Sequence, residues 1–110
     1  MKKDITSDYL GDITSYAKDA ISFTKDISFE KFAKDKKTTY AVVRSIEVIG
    51  EAARKLPKDF RDKHSSIPWT EIVGMRDKLI HDYSGIDLDI VWKTVKEDLP
   101  KILKQISKII

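Results

Sequence analysis

The chain has 110 residues and a formal net charge of +3. Charged residues make up 35% of it and hydrophobic residues 41%, which indicates one folded domain over 1–110 and not a disordered chain. It contains no cysteine, which excludes disulfides, thiol catalysis and thiolate metal sites. No apolar run approaches the roughly 20 residues that a membrane helix needs, and the polar N-terminus lacks an apolar signal core, so we expect a cytoplasmic protein without a membrane partner.

Helical periodicity runs through nearly the whole first half, with apolar residues at three- and four-residue steps. It predicts a helix over about 5–24, a short turn at Ser28–Phe32, and a second long helix over about 36–56. Pro57 ends that helix, and a polar connector follows with one possible turn of helix around Phe60.

The second long helix carries a glycine in its interior. Gly50 costs about 1 kcal/mol there relative to alanine, so we expect that another helix approaches closely at this point. The predicted apolar face consists of Tyr40, Val43, Ile46, Ile49, Gly50, Ala53 and Leu56.

The second half predicts two more helices. The third runs from Pro68 to Ile80, and Asp87 is a suitable N-cap for the fourth, in which Pro100 should produce a kink. No segment alternates with a period of two, so we expect no sheet. Four amphipathic segments with short connections predict an all-α fold, an antiparallel four-helix bundle with a kinked C-terminal helix.

Arg76, His81 and Tyr83 form an R-x4-H-x-Y arrangement near the end of the third helix. Arginine binds phosphate bidentately, and histidine exchanges protons near neutral pH. On a continuous helix Arg76 and Tyr83 would share a face, but His81 would lie about 140° away. The three side chains can therefore converge only if the helix loosens near Ile80.

These residue types suit RNA cleavage without a metal. His81 would take the proton of a ribose 2′-hydroxyl, and Arg76 would stabilise the charge that grows on the phosphoryl oxygens. The leaving oxygen needs a second proton donor, yet the chain has only one other histidine, His64, in the polar connector. A homodimer that pairs His81 and Arg76 across one cleft would supply it.

A simpler interpretation is that Arg76, His81 and Tyr83 are surface residues and helix caps. Glu47 and Glu51 allow two interpretations as well. They can belong to a solvated helix face with ion pairs between neighbouring turns, or one of them can orient Arg76 or His81. The sequence contains no cluster with metal-ligand spacing and no glycine-rich phosphate loop, so we expect neither a metal nor a cofactor.

The chain resembles the HEPN superfamily and, within it, the HepT-like toxin group. The resemblance rests on four blocks in the order that the family shows, and these are Ala41–Ala53, Pro68–Tyr83, Ile86–Trp92 and Leu99–Pro100. It implies an all-helical homodimer that acts as a ribonuclease toxin, with Arg76 and His81 as the catalytic pair. It also implies a nucleotidyltransferase antitoxin of the MntA type, which transfers AMP from ATP to the motif tyrosine, here Tyr83.

The chain departs from the pattern of the family that it resembles at two positions beside the motif. Asp77 stands where relatives often have asparagine, and Asp82 stands where a small residue is common. Both carboxylates oppose an RNA phosphate. The alternative to the nuclease is therefore a non-catalytic HEPN subunit that binds a nucleotide or docks a nucleotidyltransferase.

Overall fold

A computed structural model describes residues 5–81 and 85–109, including the backbone but not the side chain of His81. Its helices are α1 (Ile5–Phe23), α2 (Phe29–Lys34), α3 (Lys36–Lys55), α4 (Lys58–Lys63), α5 (Trp69–Leu79), α6 (Leu88–Lys93) and α7 (Leu99–Ser107). A π-helical turn, Thr94–Asp98, joins the last two into one C-terminal helical segment. The predicted all-α class is confirmed. Within the described ranges no helix has both the length and the apolar content to cross a membrane.

Helix α3 lies at the centre of the bundle. It packs against α1 on one side and α5 on the other, and the C-terminal helical segment contacts both α1 and α5. On α1 the predicted apolar stripe is buried at Leu10, Ile13, Ala17 and Ala20. The buried faces of these segments form one hydrophobic core, with Ile46 and Ile49 of α3 fully inside it.

The predicted apolar face of α3 was wrong at its first residue. Tyr40 is 60% exposed, and the neighbouring Thr39 is buried in its place. The Thr39 hydroxyl oxygen lies 3.0 Å from the backbone oxygen of Phe32 and 2.9 Å from that of Asp35, so its single proton has an acceptor in the interior. A hydroxyl that is bonded in this way can be buried. A prediction from hydrophobicity alone therefore chose Tyr40 as the first buried residue, where the structure buries Thr39.

Helices α2, α3 and α6 begin at residues whose side chains cap them. Ser28 caps α2, and the predicted Asp87 cap is confirmed, since its Oδ1 accepts from the backbone N–H of Ile90 at 3.2 Å. Asp35 caps α3 and accepts from both the hydroxyl (2.7 Å) and the N–H (3.2 Å) of Thr38. These bonds favour the charged form, so they hold the pKa of the Asp35 carboxyl below its usual value, with the hydroxyl contributing most.

Just before Pro100, where the sequence predicts a kink, the structure has the π-helical turn. Proline has no N–H and its ring crowds the carbonyl four residues earlier, so the regular bonding pattern cannot continue into it. The N–H of Leu99 instead bonds the carbonyl of Thr94, five residues back. In the same turn the ammonium of Lys96 donates to the Thr24 carbonyl at 2.8 Å, which connects the C-terminal segment to the end of α1.

Helix α5 ends at Leu79, close to where the sequence required the helix to loosen. Ile80 is extended, and the two-residue strand β1 (Ile80–His81) pairs antiparallel with β2 (Gly85–Ile86). Sequence periodicity did not predict this pairing, because two residues are too few to show alternation. It does not form a layer of its own. Together with the bond from the Asp87 N–H to the Leu79 oxygen (2.7 Å), it ties the end of α5 to the start of α6.

The close helix approach expected at Gly50 is confirmed. A Cβ atom added there would lie 3.2 Å from the backbone oxygen of Val73 and 3.5 Å from that of Ile72. Both oxygens belong to the main chain of α5 and cannot move without the helix. Gly50 therefore sets how near α3 and α5 can come to each other.

We predict that Gly50→Val lowers the free energy of unfolding by about 1–3 kcal/mol, because the side chain would push against the α5 backbone. Gly74→Ala in the facing helix is the control, since a Cβ there meets nothing within 4 Å. That control should be stabilising by up to about 1 kcal/mol through helix propensity. Urea unfolding measures both, and a Gly50→Val protein as stable as the parent would contradict the tight contact.

Candidate active site

Arg76 lies in the last turn of α5 and faces α3. Its Nε donates to the Glu47 carboxylate, with 3.2 Å between Nε and Oε2, and its Nη1 lies 3.4 Å from Oδ1 of Asp77. The Glu47 side chain is only 25% exposed, whereas those of Arg76 and Asp77 are 51% and 79% exposed. The contact with Glu47 joins two helices and is the more shielded one, so it determines the direction of the guanidinium more strongly than Asp77 does.

The Arg76–Glu47 pair lies at an open cavity of about 430 Å³ between α3 and α5. Its lining residues are Glu47, Gly50, Glu51, Arg54, Val73, Arg76 and Asp77. On α3, Gly50, Glu51 and Arg54 lie three, four and seven residues after Glu47, a spacing that places all four on one helix face. All three acidic residues that the sequence suggested as possible support for the motif, Glu47, Glu51 and Asp77, are thus brought to the same surface as Arg76.

Glu51 contacts a different arginine. Its Oε1 lies 3.9 Å from Nη1 of Arg44, seven residues earlier on α3, and both side chains are more than half exposed. An exposed pair at this distance contributes little to stability. Each interpretation of the acidic residues on α3 thus applies to one of them. Glu47 orients the motif arginine Arg76, and Glu51 belongs to the solvated helix face, where it pairs with Arg44.

His81 follows Arg76 by five residues and lies beyond the end of the helix. Its backbone pairs with Gly85, whose φ of +85° is a conformation that glycine adopts without strain. The histidine thus comes from a short strand held next to the end of α5, not from the helix itself. Tyr83 and Asp82 lie outside the described residues.

The sequence analysis missed Arg54 as a cavity residue. Arg54 is exposed, belongs to the last turn of α3 and lines the cavity together with Arg76. Its spacing of seven residues from Glu47 would have placed it on the same helix face, but only the contact between α3 and α5 shows that this face borders the cavity.

A second groove, of about 360 Å³, runs between α5 and the C-terminal helical segment and contains none of the predicted site residues. Over residues 5–81 and 85–109 no group of three or more histidine, aspartate or glutamate residues is placed to hold a metal ion. Arg76 is the motif residue that lines the cavity between α3 and α5, and this cavity is therefore the candidate site.

Comparison with known proteins places the chain in a family. The family model described as ribonuclease HepT-like matches residues 13–109. A Methanocaldococcus jannaschii protein named as a candidate RNase is 52% identical over 99% of this chain and 93% of its own length. A Caldanaerobacter subterraneus protein named in the same way is 50% identical over 93% of this chain and 91% of its own.

A further relative carries the family's name. It is a protein of Thermococcus cleftensis, named as a candidate ribonuclease HepT, and it is 49% identical over 93% of each chain. No solved structure matches the chain. The matches cover nearly the whole sequence, including the cavity between α3 and α5, and the chain therefore belongs to the ribonuclease HepT-like family.

Proposed function

We propose that this protein is a metal-independent endoribonuclease toxin that acts as a homodimer. The observation that carries the proposal is the orientation of Arg76. Glu47 holds its guanidinium at an open cavity. The element that follows α5 in the chain is the strand that contains His81. An arginine supported in this way suits the binding of a phosphodiester, and membership of the ribonuclease HepT-like family supports RNA as the substrate.

In the proposed reaction His81 removes the proton from a ribose 2′-hydroxyl. The 2′-oxygen attacks the adjacent phosphorus, the bond between phosphorus and the 5′-oxygen breaks, and the products are a 2′,3′-cyclic phosphate and a 5′-hydroxyl. Arg76 stabilises the negative charge on the phosphoryl oxygens as it grows. The 5′-oxygen leaves with a proton from His81 of the partner subunit, which explains why the active form is a dimer.

The toxin is silenced by a cognate nucleotidyltransferase antitoxin that transfers AMP to Tyr83. The added phosphate brings negative charge and the nucleoside brings bulk. Both would act against RNA binding near Arg76. Tyr83 is two positions after His81, the last residue of β1, so the modification would lie close to His81 in the chain.

The parent protein should cleave labelled RNA in EDTA and leave 2′,3′-cyclic phosphate ends. His81→Ala should lose this activity while it keeps the melting temperature and dimeric state of the parent. His64→Ala is the control, because it removes the chain's other histidine, which packs against the ring of Phe60 and does not line the cavity.

Two outcomes would count against the nuclease. If unmodified, dimeric parent cleaves none of several RNA classes, the non-catalytic HEPN subunit becomes the better description. If parent and His81→Ala cleave equally, the activity comes from another site or a contaminant.

Glu47→Gln and Asp77→Asn should change cleavage in opposite directions. Glu47→Gln removes the charge that directs Arg76, so kcat should fall roughly three- to tenfold, equivalent to about 1 kcal/mol. Asp77→Asn releases Nη1 of Arg76 from an exposed carboxylate that competes with phosphate, so KM should fall. Steady-state kinetics on one RNA separates these effects. If both variants instead lower KM and keep kcat, the two carboxylates act only by general charge repulsion and Glu47 does not position Arg76.

The Tyr83→Phe protein should resist silencing by the nucleotidyltransferase and ATP, because it has no phenolic oxygen to accept AMP. The matched control is Tyr40→Phe, which alters a tyrosine on α3 that is 60% exposed. Tyr40→Phe should still gain the mass of AMP and lose cleavage activity. Intact-mass spectrometry and RNA cleavage check both variants, and AMP transfer to Tyr83→Phe would show that another residue is the target.

A further inference from the structure

Arg54 shares the cavity with Arg76 but comes from the other helix. Glu47 and Arg54 lie seven residues apart on the same face of α3, which corresponds to about 10 Å along the helix axis. Glu47 holds Arg76 at one end of this stretch, and Arg54 stands at the other. The cavity therefore has one arginine near each end of its α3 wall.

The ion pairs around the cavity distinguish the two arginines. Arg76 contacts the carboxylates of Glu47 and Asp77, and Glu51 contacts Arg44, which is not a lining residue. Within residues 5–81 and 85–109, Arg54 has no ion pair. Among the residues that the structure describes, its guanidinium is therefore the lining cation whose charge no carboxylate offsets at contact distance.

We propose that Arg54 binds a second phosphate group of the RNA strand, next along the backbone from the phosphate that Arg76 holds. The inference rests on the proposed function for the identity of the ligand as RNA. A guanidinium presents a planar pair of donors that fits a phosphate, and it is more weakly hydrated than an ammonium, so binding costs it less hydration. Two cations spaced along an open groove are suited to follow a single strand.

This position gives Arg54 a role in affinity and not in bond breaking. It lies two helical turns from the anchor of Arg76, so it would contact a phosphate that does not react. Losing it should weaken the binding of RNA of any sequence and reduce the salt dependence of binding by the contribution of one phosphate contact, about 0.7 in the logarithmic slope for a single strand.

The test uses the full chain and a single-stranded RNA that is 2′-O-methylated throughout, which cannot be cleaved because it has no attacking hydroxyl. Binding is measured over a series of salt concentrations for the parent, Arg54→Gln, Arg54→Lys and Lys55→Gln. Lys55 is the matched control, since it is the neighbouring cation in the last turn of α3, is exposed, and does not line the cavity. Loss of either cation should affect the stability of α3 similarly.

Arg54→Gln should weaken binding roughly fivefold near 0.1 M salt, as expected for one exposed charge contact, and should lower the salt slope. Arg54→Lys should keep the slope, and Lys55→Gln should bind like the parent. With cleavable RNA, Arg54→Gln should raise KM and leave kcat nearly unchanged.

Equal binding and equal salt slopes for Arg54→Gln and the parent would overturn the inference, as would an equal loss in Lys55→Gln. Cleavage by the parent combined with either result would refute the role of Arg54 and leave the nuclease intact. Conversely, absence of cleavage together with binding that depends on Arg54 would refute the nuclease and retain Arg54 as an RNA contact.

Discussion

The close contact between α3 and α5 at Gly50 is the constraint on which the candidate site depends. Gly50 lets the backbone of α5 approach until a Cβ would lie 3.2 Å from the Val73 oxygen. At that separation Glu47, three residues before Gly50, reaches Arg76, three residues after Val73. Relative to alanine, the glycine destabilises α3 by about 1 kcal/mol. In return it permits the helix separation at which Arg76 and Glu47 form their ion pair.

The second requirement is that α5 stops where it does. If the helix continued, His81 would point well away from the face of Arg76. The structure ends α5 at Leu79, whose oxygen accepts from the N–H of Asp87, the cap of α6, and it pairs the two residues after Leu79 with β2. Backbone hydrogen bonds thus join the end of α5 to the start of α6, and His81 lies in the segment between these two helices.

The rest of the bundle supports this arrangement from a distance. Pro100 interrupts regular bonding, the chain responds with a π-helical turn, and Lys96 from that turn reaches the carbonyl of Thr24. The C-terminal segment in turn packs against both α1 and α5. Its apolar residues, among them Val91, Val95 and Leu99, complete the core that keeps α5 against α3.

The electrostatics of the cavity are mixed, and this shapes the proposed mechanism. Arg76 is offset by Glu47 and partly by Asp77, so a phosphate must compete with an exposed carboxylate. Arg54 does not face such competition among the described residues. In the proposal, Arg54 attracts the strand, and Arg76, held in a defined direction, acts on the phosphate that reacts.

The sequence by itself determined the long helices, the Asp87 cap and the close approach at Gly50, because apolar spacing, capping side chains and glycine act locally. It also indicated Arg76 and His81 as candidate site residues, since motif spacing is visible in the chain. Only the tertiary structure decided that Glu47 and not Glu51 meets Arg76, and that Arg54 borders the same cavity. Those contacts join residues 29 positions apart or lie between two helices, and they follow from how closely α3 and α5 pack, which no local pattern encodes.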